Sequence, residues 1–129
     1  MIKTIGMALA ACLTGCVLYG IEGTYSVTGN DPYGKNSYSG TAVITKDKNE
    51  VYQGRWDFEE GGKKYNDTGT GIKRNNEVSF IFKNASGQDE EYEGVQVYRI
   101  KGDILEGPFV LLNKNLVGNE KLVKQKVNE

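Results

Sequence analysis

The chain lacks histidine altogether, since none of its 129 residues is His. Histidine is the commonest general base near neutral pH and the commonest metal ligand. Its absence removes the usual partner from serine, cysteine and zinc hydrolase sites. The sequence also has no glycine-rich phosphate loop between a strand and a helix. These absences predict a protein that is not an enzyme and that has no catalytic residues, no metal and no cofactor.

Cysteine, proline and basic clusters are also scarce. The chain has two Cys, two Pro and one Trp, against 17 Gly. Its formal net charge is −1, and no block of Lys or Arg stands out, so nucleic acid is not an expected partner. The single apolar run, from Thr4 to Leu13, is too short to cross a bilayer, which needs about 20 apolar residues.

Carboxyl groups are the remaining candidates for chemistry, and they cluster in two predicted loops. One group is Asp57, Glu59 and Glu60, and the other is Asp89, Glu90, Glu91 and Glu93. A glycosidase-like pair is one interpretation. A loose calcium site in the second group is another, although its spacing differs from that of an EF-hand loop. Solvated loop charges are much commoner than either.

The N-terminal segment has the order that is typical of an export signal: Lys3, the short apolar run, and then Leu13-Thr14-Gly15-Cys16. This tetrapeptide resembles the lipobox of bacterial lipoproteins. The resemblance implies that Cys16 carries a covalent diacylglycerol and acyl lipid. It also implies cleavage between Gly15 and Cys16. The alternative is an ordinary cleaved signal, in which Cys16 carries no lipid.

The resemblance divides the chain into a signal peptide (1–15), a lipidated tether (16–22) and a β-barrel domain (23–127). Cleavage would leave Cys16 as the last cysteine, so no intrachain disulfide could form. Two or three acyl chains give a stable membrane anchor. In Gram-negative lipoproteins, Asp after the lipidated Cys is the usual inner-membrane retention signal. Val17 stands there, which favours the outer membrane, with the periplasmic or surface face left open.

Beyond the signal, apolar and polar residues alternate in short runs that glycine and asparagine turns separate. In the third run, Tyr52, Gly54, Trp56 and Phe58 share one face, which is the period of a β-strand. The spacing of the runs indicates a sandwich or a barrel, and short sequential connections favour an up-and-down order. The predicted fold is all-β, a single small antiparallel up-and-down barrel of about eight strands. The predicted strands are 23–28, 38–46, 51–58, 64–73, 77–83, 94–101, 104–112 and 117–126.

A weak Tyr-x-Gly repeat supports the barrel. It occurs at 38–40, 52–54 and 92–94, and Leu105-Glu106-Gly107 is similar. A glycine inside a strand often marks a sharp bend of a small barrel. The alternative is that these glycines leave the backbone uncovered so that a ligand can approach it closely.

The predicted inward side chains are bulky, and we expect them to fill so small a barrel. They are Tyr25, Tyr52, Trp56, Phe58, Phe80, Phe82, Tyr98, Leu105 and Phe109. A filled barrel would act through its loops, here 29–37 and 84–93, as a binding module for a protein or an envelope polymer. The alternative is a carrier or sensor of a small hydrophobic ligand in an open barrel mouth. The candidate contact residues are Tyr52, Trp56, Phe80, Tyr33, Asp89 and Glu91.

The layout is similar to that of calycin-like small barrels, such as lipocalins and avidins. The segment 116–122 resembles the final strand of avidins, whose biotin pocket needs several Trp, whereas this chain has Trp56 alone. Asn84-Ala85-Ser86-Gly87 is similar to the Ser-Gly loop of bacterial lysozyme inhibitors, which include lipid-anchored barrels. That resemblance implies a third function, inhibition of an extracellular enzyme such as lysozyme.

Overall fold

The computed structural model describes residues 20–32, 36–84, 91–112 and 114–126. These residues form eight β-strands, each within two residues of its predicted bounds, and the all-β class is confirmed. No helix long and apolar enough to cross a membrane occurs in these ranges. The strands are β1 (Gly23–Asn30), β2 (Ser37–Lys46), β3 (Tyr52–Glu60), β4 (Lys63–Arg74), β5 (Glu77–Asn84), β6 (Glu93–Lys101), β7 (Ile104–Leu111) and β8 (Leu116–Lys124).

The strands close into one barrel. Each strand pairs antiparallel with the next along the chain, and β1 pairs with β8. The predicted up-and-down barrel is therefore confirmed. Short turns join the strands at one end, which we call the closed end. At the other end, β1, β3, β5 and β7 finish at Asn30, Glu60, Asn84 and Leu111, and we call this the open end. The two longest connections of the chain, 31–36 and 85–92, follow β1 and β5.

The period-two alternation places the predicted side chains inside the barrel. Of the nine, Phe58 is partly buried and the other eight are buried. Strand β4 is the exception to an apolar inner face. Its inward positions hold Tyr65, Asp67, Gly69 and Gly71, while its apolar Ile72 faces outward with 68% of its surface exposed. One wall of the barrel therefore carries little apolar bulk.

The glycines of the repeat lie within strands, where neighbouring backbone comes close. A Cβ atom on Gly107 would collide with the carbonyl oxygen of Val97, and one on Gly40 with that of Asp57. Only glycine fits at such points, so these two residues let the strands bend tightly around a narrow interior.

Ile21 plugs the closed end. It precedes β1, and 2% of its surface is exposed. The hydroxyl of Tyr25 donates a 2.7 Å hydrogen bond to the carbonyl oxygen of Ile21, and Lys124 Nζ donates to that of Gly20 at 2.9 Å. Burial raises the pKa of Tyr25 to about 12. Ile21 belongs to the predicted tether, whose first residues, including Cys16, lie outside the described ranges together with the predicted signal peptide.

Candidate functional site

The open half of the barrel contains a cavity of about 200 Å³. The expectation that side chains fill the interior therefore holds for the closed half and not for the open half. The cavity is lined by Asp31, Pro32, Tyr38, Trp56, Phe58, Glu60, Tyr65, Asp67, Phe82, Tyr92, Gln96, Tyr98, Phe109, Leu111, Lys114 and Glu120.

Aromatic rings form most of the cavity wall, and they hold one another in place. Phe58 stacks on Tyr65, with ring centroids 5.2 Å apart and an interplanar angle of 11°. Phe82 meets Phe109 edge-on at 6.2 Å. Offset-stacked and edge-to-face pairs are the favoured arrangements of aromatic rings. The wall is therefore preformed and apolar.

Trp56 occupies the base of the cavity. Its ring meets Phe80 edge-on, with centroids 5.3 Å apart at 89°. Two glycines, Gly54 on the same strand and Gly69 on β4, make room for the indole. A Cβ on Gly69 would lie 3.1 Å from Trp56 Cζ3, and one on Gly54 would lie 2.5 Å from Cη2. The bare backbone of β3 and β4 thus fixes where the indole lies.

A chain of hydrogen bonds runs across the interior from Trp56 to a buried carboxyl group. Trp56 Nε1 donates to the Tyr98 hydroxyl at 3.0 Å. Tyr98 in turn donates to Glu120 Oε2, and Tyr38 donates to Glu120 Oε1 at 2.6 Å. Glu120 is 7% exposed. Burial raises the pKa of Glu120, while the hydrogen bonds from the two phenols oppose that rise.

Asp67 is a second buried carboxyl group on the cavity wall, with 6% of its surface exposed. The Tyr92 hydroxyl donates to Asp67 Oδ1 at 2.7 Å. Burial raises the pKa of Asp67 to about 7; the negative charge of Glu120 adds to the rise, and the bond from Tyr92 opposes it. Burial also raises the pKa of Tyr38, Tyr92 and Tyr98 well above its usual value, so these phenols remain protonated donors.

Gln96 closes a gap in the wall between β6 and β7. The strand register skips from Gln96↔Phe109 to Arg99↔Glu106, beside Pro108, which has no N–H to donate. Gln96 Nε2 donates instead to the carbonyl oxygens of Gly107 and Pro108, both at 3.0 Å. The amide of Gln96 is therefore committed to the wall rather than to the cavity.

The mouth of the cavity is also acidic. Asn36 Nδ2 donates to Asp31 Oδ2 at 3.5 Å, and Glu60 is hydrogen-bonded to both residues. Burial raises the pKa of Glu60 to about 7, and its bond to Asp31 adds to the rise. Lys114 stands at the same rim.

The predicted contact residues are distributed over the whole barrel. Trp56 lines the cavity, and Phe80 lies against it beneath the floor. Tyr52 is buried at the closed end, 5% exposed, and does not reach the cavity. Glu91 is exposed beside the open end. Tyr33 and Asp89 lie outside the described residues.

The first predicted carboxylate group does not come together, and two members of the second, Asp89 and Glu90, lie outside the described residues. Asp57 lies on the outer surface, where it pairs with Arg55 at 3.5 Å, and of the first group only Glu60 lines the cavity. Within the described residues, no three His, Cys, Asp or Glu side chains lie together as a metal site would need.

Sequence reasoning did not single out four of the polar residues that line the cavity, namely Tyr38, Asp67, Tyr92 and Glu120. A signal for two of them was present, because both acids occupy inward positions of their strands. Glu120 lies between inward Gly118 and Leu122, and Asp67 lies two residues before inward Gly69. An acid at an inward position of a barrel strand indicates a polar site.

No protein-family model matches the chain, and no curated protein sequence does. Solved structures match it in fold. One is described as "Structure of a redesigned beta barrel, mFAP1, bound to DFHBI": it is 10% identical, has a TM-score of 0.71, and the match covers 81% of this chain and 94% of that one. "Structure of EF1p2_mFAP2b bound to DFHBI" has the same identity and coverage and a TM-score of 0.70. "Structure of a redesigned beta barrel, b11L5F_LGL" is 11% identical over 82% of this chain and 92% of that one, with a TM-score of 0.66. The chain thus shares the fold of small eight-stranded barrels.

Proposed function

We propose that this protein binds one small, largely aromatic ligand in the open half of its barrel and acts as a carrier or sensor rather than as an enzyme. The observation that carries the proposal is the preformed aromatic cavity of about 200 Å³. Concave, mostly apolar sites with a few convergent polar groups are the usual places for small molecules. The cavity therefore favours the ligand carrier over a filled scaffold.

The size of the cavity limits the ligand. An apolar cavity of about 150 Å³ holds benzene, whereas drug-sized ligands occupy pockets of roughly 300–1,000 Å³. A volume of about 200 Å³ therefore suits a single ring with a short substituent. Because the wall is held by ring contacts and by the Trp56–Tyr98–Glu120 hydrogen bonds, little ordering free energy opposes binding.

The similar barrels support the proposal by analogy. Two of the three are described as bound to DFHBI, so a barrel of this topology can hold a small molecule. At 10% identity, the residues that would contact a ligand here are this chain's own.

A matched pair of substitutions on β7 tests the proposal. Leu111 lines the cavity, while its neighbour Val110 faces outward and pairs with Val117. We expect Leu111→Phe to fill part of the cavity and to weaken binding of single-ring compounds by about tenfold or more, whereas Val110→Phe leaves it unchanged. Isothermal titration calorimetry measures the affinities. Equal affinities for the two variants, or no binding of any single-ring compound to the natural chain, would contradict the proposal.

We further propose that the barrel works at a bacterial membrane, with the outer membrane favoured, held by lipid on Cys16. Support comes from the resemblance of Leu13-Thr14-Gly15-Cys16 to a lipobox. Metabolic labelling with a radioactive fatty acid tests this: Cys16→Ser should abolish both labelling and cleavage of the precursor. A Cys16→Ser protein that is cleaved normally would refute the anchor.

A second candidate function is contact with a protein or an envelope polymer through the loops at the open end. It is favoured because Asp31, Pro32 and Tyr92, which are described residues of the two long connections, line the cavity. Replacing 85–90 by a Gly-Ser segment should then abolish retention on immobilised envelope polymer while single-ring ligands still bind. Unchanged retention on that polymer would contradict this candidate.

A further inference from the structure

A buried carboxyl group on the cavity wall has one oxygen with no hydrogen-bond or ion-pair partner among the described residues. Asp67 Oδ1 accepts the hydrogen bond from Tyr92, but no donor or cation among the described residues contacts Oδ2. Asp67 is 6% exposed and belongs to the cavity wall. A buried carboxylate is costly unless it is paired. The cavity therefore presents an acceptor that a ligand could satisfy.

The charges around the cavity are unbalanced. Its described lining residues include four carboxyl side chains and one amine, namely Asp31, Glu60, Asp67, Glu120 and Lys114. A cleft lined by one sign of charge concentrates ions of the opposite sign. Above about pH 7, where Asp67 and Glu60 lose their protons, the imbalance favours a cationic ligand.

The aromatic wall suits an organic cation rather than a metal ion. Ammonium groups are attracted to the faces of Trp, Tyr and Phe rings, and more strongly where water is excluded. Calcium or magnesium would need about six oxygen ligands, whereas no cluster of three or more His, Cys, Asp or Glu side chains occurs in the part of the chain that the structure describes.

We propose that the ligand is a small aromatic amine, bound as its ammonium ion, whose N–H group donates to Asp67 Oδ2 while its ring lies among the aromatic side chains of the wall. Glu120 lies deeper in the barrel, where both of its oxygens already accept hydrogen bonds from Tyr38 and Tyr98, so Asp67 is the acceptor left for the ligand. The inference rests on the proposed function of the cavity and adds the chemical class of its ligand.

Three compounds that share one ring and differ in charge test the inference: benzylamine, benzyl alcohol and benzoate. We expect the natural chain at pH 8 to bind benzylamine about tenfold or more tightly than benzyl alcohol, because hydrogen bonds to charged groups are the stronger ones. Benzoate should bind most weakly, because its carboxylate would face Asp67 and Glu120. Isothermal titration calorimetry with the full chain gives the three affinities.

A pair of isosteric variants locates the ammonium. Asp67→Asn should weaken the binding of benzylamine by about tenfold or more, while the affinity for benzyl alcohol should stay within about threefold of its value in the natural chain. The control, Asp57→Asn, removes the same charge from the outer surface, where Asp57 pairs with Arg55, and should change neither affinity.

The outcomes separate the two claims. Benzyl alcohol binding the natural chain as tightly as benzylamine would overturn the ammonium inference and leave the cavity as a binding site. If Asp67→Asn and Asp57→Asn weaken the binding of benzylamine equally, the ammonium inference is likewise overturned and the cavity remains a binding site. If none of the three compounds binds, the proposed function fails and the inference falls with it. The comparison of compounds on the natural chain decides the matter even if Asp67→Asn does not fold.

Discussion

The hydroxyl of Tyr92 donates a 2.7 Å hydrogen bond to Asp67 Oδ1, joining β4 to the segment that enters β6 across the intervening strand β5. The bond occupies one carboxyl oxygen and leaves the other without a partner among the described residues. It also opposes the rise that burial causes in the pKa of Asp67. Tyr92 thus orients Asp67 and favours its charged form.

Removing this bond should make Asp67 harder to ionise. In Tyr92→Phe, we expect the pKa of Asp67 to lie above its value of about 7 in the natural chain, because burial then acts without the opposing donor. Observation of the carboxyl carbon of Asp67 by NMR during a pH titration measures the change. A pKa that is unchanged or lower would show that the bond does not favour the charged form.

The free energy of unfolding should depend on pH through the same residue. Burial raises the pKa of Asp67 from 3.8 to about 7, so the folded state keeps a proton that the unfolded chain releases between those values. The contribution of Asp67 to stability is therefore greatest below about pH 4 and is lost as the pH rises toward 7.

Asp67→Asn has no proton to lose at this position, so its free energy of unfolding should not fall in this way as the pH rises. The difference in unfolding free energy, variant minus natural chain, should therefore increase between pH 4.5 and pH 8 by about a few kcal/mol. Urea unfolding at both pH values measures it. Burial also raises the pKa of Glu60 and of Glu120, so both add a pH dependence of the same sign to the natural chain and to the variant. Burial raises the pKa of Tyr38, Tyr92 and Tyr98 far enough that these phenols stay protonated over this range. A difference in unfolding free energy between Asp67→Asn and the natural chain that is the same at both pH values would contradict the burial of Asp67.

Tyr98 links the indole of Trp56 to Glu120, and its loss should be costly. Tyr98→Phe leaves Trp56 Nε1 and Glu120 Oε2 without their partners, and each unsatisfied buried group costs about 1–3 kcal/mol. The control is Tyr65→Phe, since the Tyr65 hydroxyl makes no hydrogen bond within the described residues, and it should cost less than about 0.5 kcal/mol. Equal unfolding free energies for both variants in urea would argue against the chain of bonds.

The tight bend of β7 at Gly107 predicts that adding one methyl group there lowers the stability of the barrel. Gly107→Ala places its Cβ against the Val97 carbonyl oxygen and should destabilise the barrel by about 1–3 kcal/mol, as overpacking does. Glu106→Ala, the exposed neighbour on the same strand, serves as the control. A Gly107→Ala barrel that melts at the temperature of the natural protein would show that the strands need no glycine there.

The strands and the barrel closure could be predicted because they depend on alternation. Residues such as Trp56 and Phe58, or Phe80 and Phe82, share a face through the period of the strand alone, whatever the rest of the chain does. The short turns then leave sequential pairing as the simplest order. Both inferences are local, and the structure bears them out.

The cavity could not be predicted in this way, because its volume is what remains after all inward side chains are placed. The large side chains Tyr25, Tyr52 and Leu105 lie toward the closed end. Ile21, which no strand pattern includes, plugs that end. The inward glycines of β4, Gly69 and Gly71, lie toward the closed end, where Trp56 and Phe80 pack against their bare backbone. The bulky side chains therefore collect in the closed half, and the open half stays unfilled.

The most direct test follows the indole N–H of Trp56, which gives a single NMR cross-peak because the chain has one Trp. During a titration with benzylamine, we predict a saturable shift of this peak, with a dissociation constant that matches calorimetry. The backbone amide of Ile21, at the closed end, should stay in place. A Trp56 peak that does not move, while residues on the outer surface such as Ile81 and Val117 do, would contradict binding inside the barrel.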